Sequence, residues 1–135
     1  MKQFIRAILV TLVMAFSPGA GQANDAARSV ISSQIDAFLK DDFVTAFDFA
    51  SPMIKGIFGT PERFGAMVRN GYPMVWRPAD VEFLNSEERG STVIQTVKIT
   101  DGNGRLFFLE YELIETEAGW QLNAVRNEEA GDGLA

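Results

Sequence analysis

The stretch NGYPMVWRPADVEF, Asn70–Phe83, marks the point where the pattern of the sequence changes. Before it, apolar residues recur at steps of three and four, which is typical of helices that bury one face. After Pro78, apolar and polar residues alternate, which is typical of strands with one buried side. Helices followed by antiparallel strands predict an α+β fold.

Upstream of this stretch, apolar spacing and capping residues predict four helices. The first follows a cap at Asn24 or Asp25, and the second lies within DDFVTAFDFASP. Ser51 and Thr60 are each followed by a proline, and a cap residue before proline is typical of a helix start. They predict a third helix in SPMIKGIFG and a fourth in TPERFGAMVRNG, which ends at Gly71.

Downstream, alternating patterns predict the strands ADVEFLN, STVIQTVKITD, RLFFLEYELIE and WQLNAVR. The sequence DGNG between the second and third strands predicts a tight hairpin, because Gly and Asn tolerate positive φ. On the third strand, alternation places Phe107, Leu109, Tyr111 and Leu113 on one face. The chain therefore ends in an antiparallel sheet.

The segment Tyr72–Arg77 carries much aromatic and apolar surface for a connection. Tyr72, Met74 and Trp76 alternate, so an extended stretch would place them on one face. In one interpretation Tyr72 and Trp76 line a ligand groove, with Arg77 available for a carboxylate or phosphate. In the other, the rings fill the wide end of the core. The predicted ligand-binding residues are Tyr72, Trp76, Arg77 and Tyr111.

Residues 1–23 are predicted to be a signal peptide. Lys2 and Arg6 precede an apolar run of ten residues, and Gly21 and Ala23 are small residues placed for cleavage before Asn24. The run is shorter than the roughly 20 residues that span a bilayer. We therefore expect a periplasmic protein that leaves the membrane after cleavage, with one domain over residues 24–126 and a flexible acidic tail over 127–135.

Charge and composition exclude several function classes. Lys2 and Arg6 are the only cations of residues 1–23, so the mature chain carries 10 cations and 18 acids, a net charge of −8. Such a chain repels the phosphates of nucleic acid. The sequence has no cysteine and no histidine, which removes the commonest zinc ligands and the His-based nucleophile pairs. We predict no cofactor, no metal and no identifiable catalytic residue.

The segments FASP, FGTPERF and GYPMVWRP resemble an uncharacterised bacterial family, domain of unknown function 4864, over about Ala27 to Arg126. The order of elements also resembles the nuclear-transport-factor-2-like (cystatin-like) fold. That resemblance implies N-terminal helices packed on a curved antiparallel sheet, with a cone-shaped pocket between them. It places Tyr72–Arg77 beside the pocket mouth, and it transfers no catalytic residue.

Two functions of different classes are consistent with these observations. The first is a binding or interaction module that holds a small apolar or amphipathic ligand, or a protein segment. The second is a small enzyme of isomerase or dehydratase type, which would need a pocket carboxylate as general base. Glu110 and Glu112, two residues apart on one strand face, have a spacing that suits such a pair or a solvated strand end. A homodimer formed through the sheet is a further alternative.

Overall fold

Helices fill the first half of the chain and strands the second, as the change of pattern predicts. The structure is a computed structural model that describes residues 20–128. Its helices are α1 Ala20–Leu39, α2 Phe43–Asp48, α3 Pro52–Phe58, α4 Pro61–Gly71 and α5 Pro73–Trp76. Its strands are β1 Pro78–Arg89, β2 Thr92–Asp101, β3 Leu106–Thr116 and β4 Gly119–Asn127. The predicted α+β fold is confirmed.

The four strands form one antiparallel sheet in the order β1-β2-β3-β4. The pairing is interrupted in β1 between Phe83 and Ser86, and in the β3–β4 pair between Glu112 and Leu113. Such irregularities bend a strand and increase its twist, and they give this sheet its curl. Alternate residues of β2 and β3 are buried against the helices, so the core lies between the sheet and the helical layer.

Local capping explains where the short helices begin. Asp42, Ser51 and Thr60 each accept a hydrogen bond from the backbone N–H three residues later, at 3.1, 3.3 and 3.2 Å. Each bond satisfies an N–H that the first helical turn leaves without a partner. Proline occupies the first position of α3, α4 and α5, where a missing N–H costs nothing. The two caps predicted at Ser51 and Thr60 are confirmed.

Phe64 is the centre of an aromatic cluster that joins the helices. Its ring centroid lies 5.9 Å from that of Phe38, 5.2 Å from that of Phe47 and 5.8 Å from that of Phe58. The neighbouring Gly65 admits a further ring, since a Cβ at this position would lie 2.6 Å from Cδ1 of Phe43. Close approach of α2 and α4 therefore requires a residue without a side chain.

Two local predictions are wrong. Helix α1 already includes Ala20, so Asn24 and Asp25 lie within the helix and do not cap it. The segment after Tyr72 is a turn of helix and not an extended stretch, because the Tyr72 carbonyl accepts from Val75 N and Trp76 N at 2.9 and 3.2 Å. The turn buries Met74 and Val75, whereas Tyr72 and Trp76 are half-buried.

The predicted signal peptide, residues 1–23, lies outside the described residues except for its last four, which belong to α1. Of the predicted tail, Asn127 is the last residue of β4 and Glu128 follows it, and the remainder lies outside the described residues. Among residues 20–128, no helix combines the length and the apolar character that a membrane span requires.

Candidate functional site

A partly open cavity of about 270 Å³ lies between the helices and the strands β3 and β4. Its walls are mainly apolar, as is typical of small-molecule sites, and its volume is near the lower end of their range. The residues that line it are Gln34, Phe38, Ala50, Ile54, Phe58, Phe64, Met67, Val68, Tyr72, Val75, Tyr111, Leu122, Asn123, Ala124 and Val125. None of these fifteen residues carries a formal charge.

The mouth of the cavity lies between α3, α4 and β4, where the lining residues are only half-buried. Ala50 forms a parallel bridge with Leu122, in which Ser51 N donates to Leu122 O at 2.7 Å and Leu122 N donates to Phe49 O at 2.8 Å. This bridge holds the start of α3 against the free edge of β4. Helix α3 itself contains no buried residue.

Helix α3 is apolar on both sides. Ile54 and Phe58 line the cavity, whereas Met53 and Ile57 are 53% and 64% exposed. This helix, which forms part of the cavity wall, is therefore held with little buried surface. Elements with little buried surface are the ones that open locally at low free-energy cost.

Two of the four polar side chains in the wall are tyrosines. Tyr72 donates from its hydroxyl to the Val125 carbonyl at 3.1 Å. Tyr111, whose Cα partner across the sheet is Val125, is fully buried, and its hydroxyl has no hydrogen-bond partner within residues 20–128. Burial raises the pKa of Tyr111, and the neighbouring Tyr72 adds to that shift. The Tyr111 hydroxyl therefore keeps its proton and is a donor.

The two amide side chains in the wall are bonded to the protein. Gln34 Nε2 donates to the Ala46 carbonyl at 3.0 Å. Asn123 Oδ1 accepts from Ser51 Oγ at 2.7 Å, and Asn123 Nδ2 donates to Glu112 Oε2 at 3.1 Å. Through Asn123, these bonds connect Ser51, at the start of α3, to Glu112 on β3, at the irregularity in the β3–β4 pairing.

Of the four residues predicted to bind a ligand, Tyr72 and Tyr111 lie in the cavity wall, and Trp76 and Arg77 do not. Trp76 Nε1 donates to Asp41 Oδ1 at 2.8 Å. Arg77 donates to both carboxylate oxygens of Asp41 at 3.0 and 3.1 Å and to the Phe38 carbonyl at 2.8 Å. The guanidinium also stacks on the Trp76 ring, with 4.2 Å between Cζ and the ring centroid. The structure thus engages both side chains in a contact with the turn after α1.

The acidic pair Glu110 and Glu112 lies outside the cavity wall. Arg126 contacts both, with Nε 3.3 Å from Glu110 Oε1 and Nη2 2.9 Å from Glu112 Oε1. Within the part of the chain that the structure describes, no group of three or more acidic side chains is placed to hold a metal ion.

Several lining residues were not recognised as site residues from the sequence. Phe64, Met67 and Val68 follow the helical spacing of α4, and periodicity does not distinguish a core position from a cavity wall. The sequence does not distinguish Gln34 and Asn123 as site residues, since a single polar residue in an apolar helix stripe or strand is common. Asn123 has no paired residue on β3, because the β3–β4 register shifts at this point. That shift depends on how the two strands align and cannot be predicted from either strand alone.

Comparisons with known proteins identify a family and a fold. The model of the family described as "Domain of unknown function (DUF4864)" matches residues 20–132. No curated protein matches the chain. The structure of Aln2 from a Streptomyces species is 14% identical with a TM-score of 0.52, covering 87% of this chain and 98% of that chain.

RPA3114, a SEC-C motif containing protein from Rhodopseudomonas palustris, is 15% identical with a TM-score of 0.48, covering 77% of this chain and 90% of that chain. At 14% identity the likeness to Aln2 concerns the fold alone. The assignment to the nuclear-transport-factor-2-like fold stays a prediction.

Proposed function

The chain belongs to the DUF4864 family of domains of unknown function, and we propose that it is an exported binding module whose cavity holds a small apolar ligand. The observation that carries the proposal is the cavity of about 270 Å³ between the helices, β3 and β4. A protein core is normally packed without voids larger than a water molecule, so a partly open apolar space of this size is the default site for a ligand.

The size of the cavity limits the ligand. A dry apolar cavity of about 150 Å³ accommodates benzene. By proportion, 270 Å³ suits a molecule of roughly 11 non-hydrogen atoms. A long acyl chain or a folded peptide would extend beyond the mouth, where Met53 and Ile57 supply exposed apolar surface on α3.

Export is the second part of the proposal. Its support is the order of charged, apolar and small residues over 1–23. A periplasmic location would place the cavity in contact with small molecules that cross the outer membrane.

The alternative, a small enzyme of isomerase or dehydratase type, requires a carboxylate that reaches the bound molecule. The residues that line this cavity include neither Asp nor Glu. Glu112 lies outside the wall and accepts a hydrogen bond from the lining residue Asn123. Its other carboxylate oxygen forms an ion pair with Arg126. The geometry therefore supports binding better than acid/base chemistry.

The proposal is tested with tetralin, an uncharged bicyclic hydrocarbon of suitable size, titrated into the protein and followed by two-dimensional NMR. We expect saturable shifts of amides around the cavity. Met67→Trp, which fills the mouth from a half-buried position on α4, should weaken binding at least about tenfold, since the indole occupies the ligand's place.

The matched control is Glu62→Trp, an exposed position about 140° around the same helix from Met67, which should bind tetralin like the parent protein. No saturable shifts in the parent protein, or equal binding by the Met67→Trp variant, would contradict the proposed site.

A further inference from the structure

Tyr111 lines the cavity, and the described part of the protein supplies no partner for its hydroxyl, a donor with almost no solvent-accessible surface. It is buried, and no acceptor within residues 20–128 lies within hydrogen-bond distance. Most buried polar side-chain atoms have a partner, and each exception requires an explanation. Tyr72, in the same wall, shows that a tyrosine here can be satisfied, because its hydroxyl donates to Val125 O.

The charge of the wall restricts what the missing partner can be. The fifteen lining residues include no cation, so an ionised carboxylate or phosphate would be desolvated without a counter-charge. A ligand amine or hydroxyl would bring hydrogens that need acceptors of their own. A carbonyl oxygen accepts a hydrogen bond and brings no donor, so it suits an unpaired tyrosine hydroxyl in an apolar wall.

The Tyr111 hydroxyl is enclosed, so a ligand in the cavity reaches it only if a neighbouring side chain moves. Tyr111 is enclosed, whereas Tyr72 is half-buried and anchored at the mouth by one 3.1 Å hydrogen bond to the edge strand. The two side chains are close enough for Tyr72 to affect the titration of Tyr111. Tyr72 is half-buried and held by a single hydrogen bond, so it is the side chain whose rotation we expect to expose the Tyr111 hydroxyl to the cavity.

We propose that the ligand is a neutral apolar carbonyl compound of about bicyclic size, and that its oxygen accepts a hydrogen bond from Tyr111. This inference rests on the proposed binding function and adds to it the chemical class of the ligand.

The test compares three probes of one ring system: tetralin, 1-tetralone, which adds a carbonyl, and tetralin-1-carboxylate, which is ionised at neutral pH. Dissociation constants are measured by NMR titration for the parent protein and for Tyr111→Phe, which keeps the ring and removes the hydroxyl. In the parent protein, tetralone should bind about fivefold more tightly than tetralin, the effect of one net hydrogen bond. The carboxylate should bind more weakly than either.

In the Tyr111→Phe variant, the preference for tetralone should fall to one or below, because its carbonyl is then buried without a donor, while the affinity for tetralin stays unchanged within roughly twofold. A second measurement does not depend on affinity. The infrared carbonyl stretch of bound, ¹³C-labelled tetralone should lie at lower frequency in the parent protein than in Tyr111→Phe, because a hydrogen bond weakens the C=O bond.

The outcomes separate the two claims. If tetralin and tetralone both bind, but Tyr111→Phe changes neither the preference nor the carbonyl frequency, the carbonyl assignment is wrong and the binding module stands. Binding of the carboxylate more tightly than tetralone would also overturn the assignment. If no probe binds the parent protein, the proposed function fails and this inference fails with it.

Discussion

Tyr72 and Tyr111 carry the same phenol in the same cavity wall, but their hydroxyls differ in hydrogen bonding. Tyr72 donates to Val125 O, and Tyr111 has no acceptor among the described residues. A buried donor without a partner keeps the full cost of its desolvation, whereas a paired donor contributes a small net stabilisation. The two hydroxyls should therefore have opposite effects on the free energy of unfolding of the ligand-free protein.

We expect Tyr111→Phe to raise the free energy of unfolding by about 1 kcal/mol, and Tyr72→Phe to lower it by about 0.5–1.5 kcal/mol. Both changes remove one oxygen and keep the ring, so each variant is the control for the other. Urea unfolding of the ligand-free proteins, followed by tryptophan fluorescence, measures both values. A Tyr111→Phe variant less stable than the parent would show that the hydroxyl is already satisfied in the free protein.

At this scale the sequence predicted side-chain direction but not hydrogen-bond partners. Alternation along β3 was sufficient to place Tyr111 inward, and it is fully buried. The acceptor of Tyr72 lies 53 positions away, and the partner of Arg77 lies 36 positions away. Periodicity contains no information on which distant carbonyl or carboxylate meets a given donor, so Arg77 was interpreted as free for a ligand when it binds Asp41.

The contact between α5 and the turn after α1 is the main polar link between two helical elements of the described chain. Asp41 has a positive φ of 56°, a backbone conformation that non-glycine residues rarely adopt. Hydrogen bonds from Trp76 and Arg77 hold its carboxylate in place and keep the pKa of Asp41 below its usual value. The strained turn is thus fixed by a residue pair from another element.

This contact predicts a pH dependence whose sign follows from the pKa shift. Because the folded-state pKa of Asp41 is lower than its unfolded value, its contribution is present above the unfolded pKa of about 4 and is lost as pH falls through the folded pKa. Asp41→Asn should therefore be less stable than the parent near pH 7. The difference between their urea midpoints should shrink progressively as the pH is lowered below about 4.

Asn suits this experiment because it also tolerates positive φ, so the change removes charge and leaves the turn geometry. The pKa of Asp42 is lowered too, by hydrogen bonds from Thr45, but Asp42 is present in both proteins and its titration cancels. The control is Asp36→Asn on the exposed face of α1. A stability difference for Asp41→Asn that persists unchanged at low pH would show that the carboxylate charge is not what fixes the turn.

Long elements were predictable from the sequence and the shortest one was not. Caps at Ser51 and Thr60 and the alternation in β2 and β3 identified the helices and strands, because each element is long enough to show its period. Helix α5 has four residues, which is one turn, and one turn cannot display a period of 3.6. Tyr72, Met74 and Trp76 alternate in the sequence, so the segment resembled one face of a strand.

For the whole molecule, the order of helices and strands determined the fold class but not the cavity. The cavity wall combines residues of α1, α3, α4, α5, β3 and β4 with two residues of the connections, and twelve of the fifteen belong to the hydrophobic core or pack against it. A void arises only when the summed side-chain volumes fall short of the space between the layers. That balance depends on the relative positions of all six elements, which local patterns do not contain.

Ala23 is both the last residue of the predicted signal peptide and a buried residue of helix α1. As the last residue of the predicted signal peptide it must be small, and as a residue of α1 it is 6% exposed in the core cluster. Cleavage after Ala23 removes one methyl group from that cluster, a cost of about 0.8 kcal/mol. The remaining stripe of α1, from Ala27 to Phe38, stays buried, so the domain should fold without Ala23.

We therefore expect the proposed exported form to begin at Asn24, as read by N-terminal sequencing. Ala23→Leu places a bulky residue at the position before the cut and should leave an unprocessed, membrane-associated precursor. Gln22→Leu adds the same side chain one position earlier, where the cleavage pattern accepts any residue, and should be processed like the parent. Equal processing of both variants, or a parent protein that still begins at Met1, would contradict both the cleavage site and the proposed export.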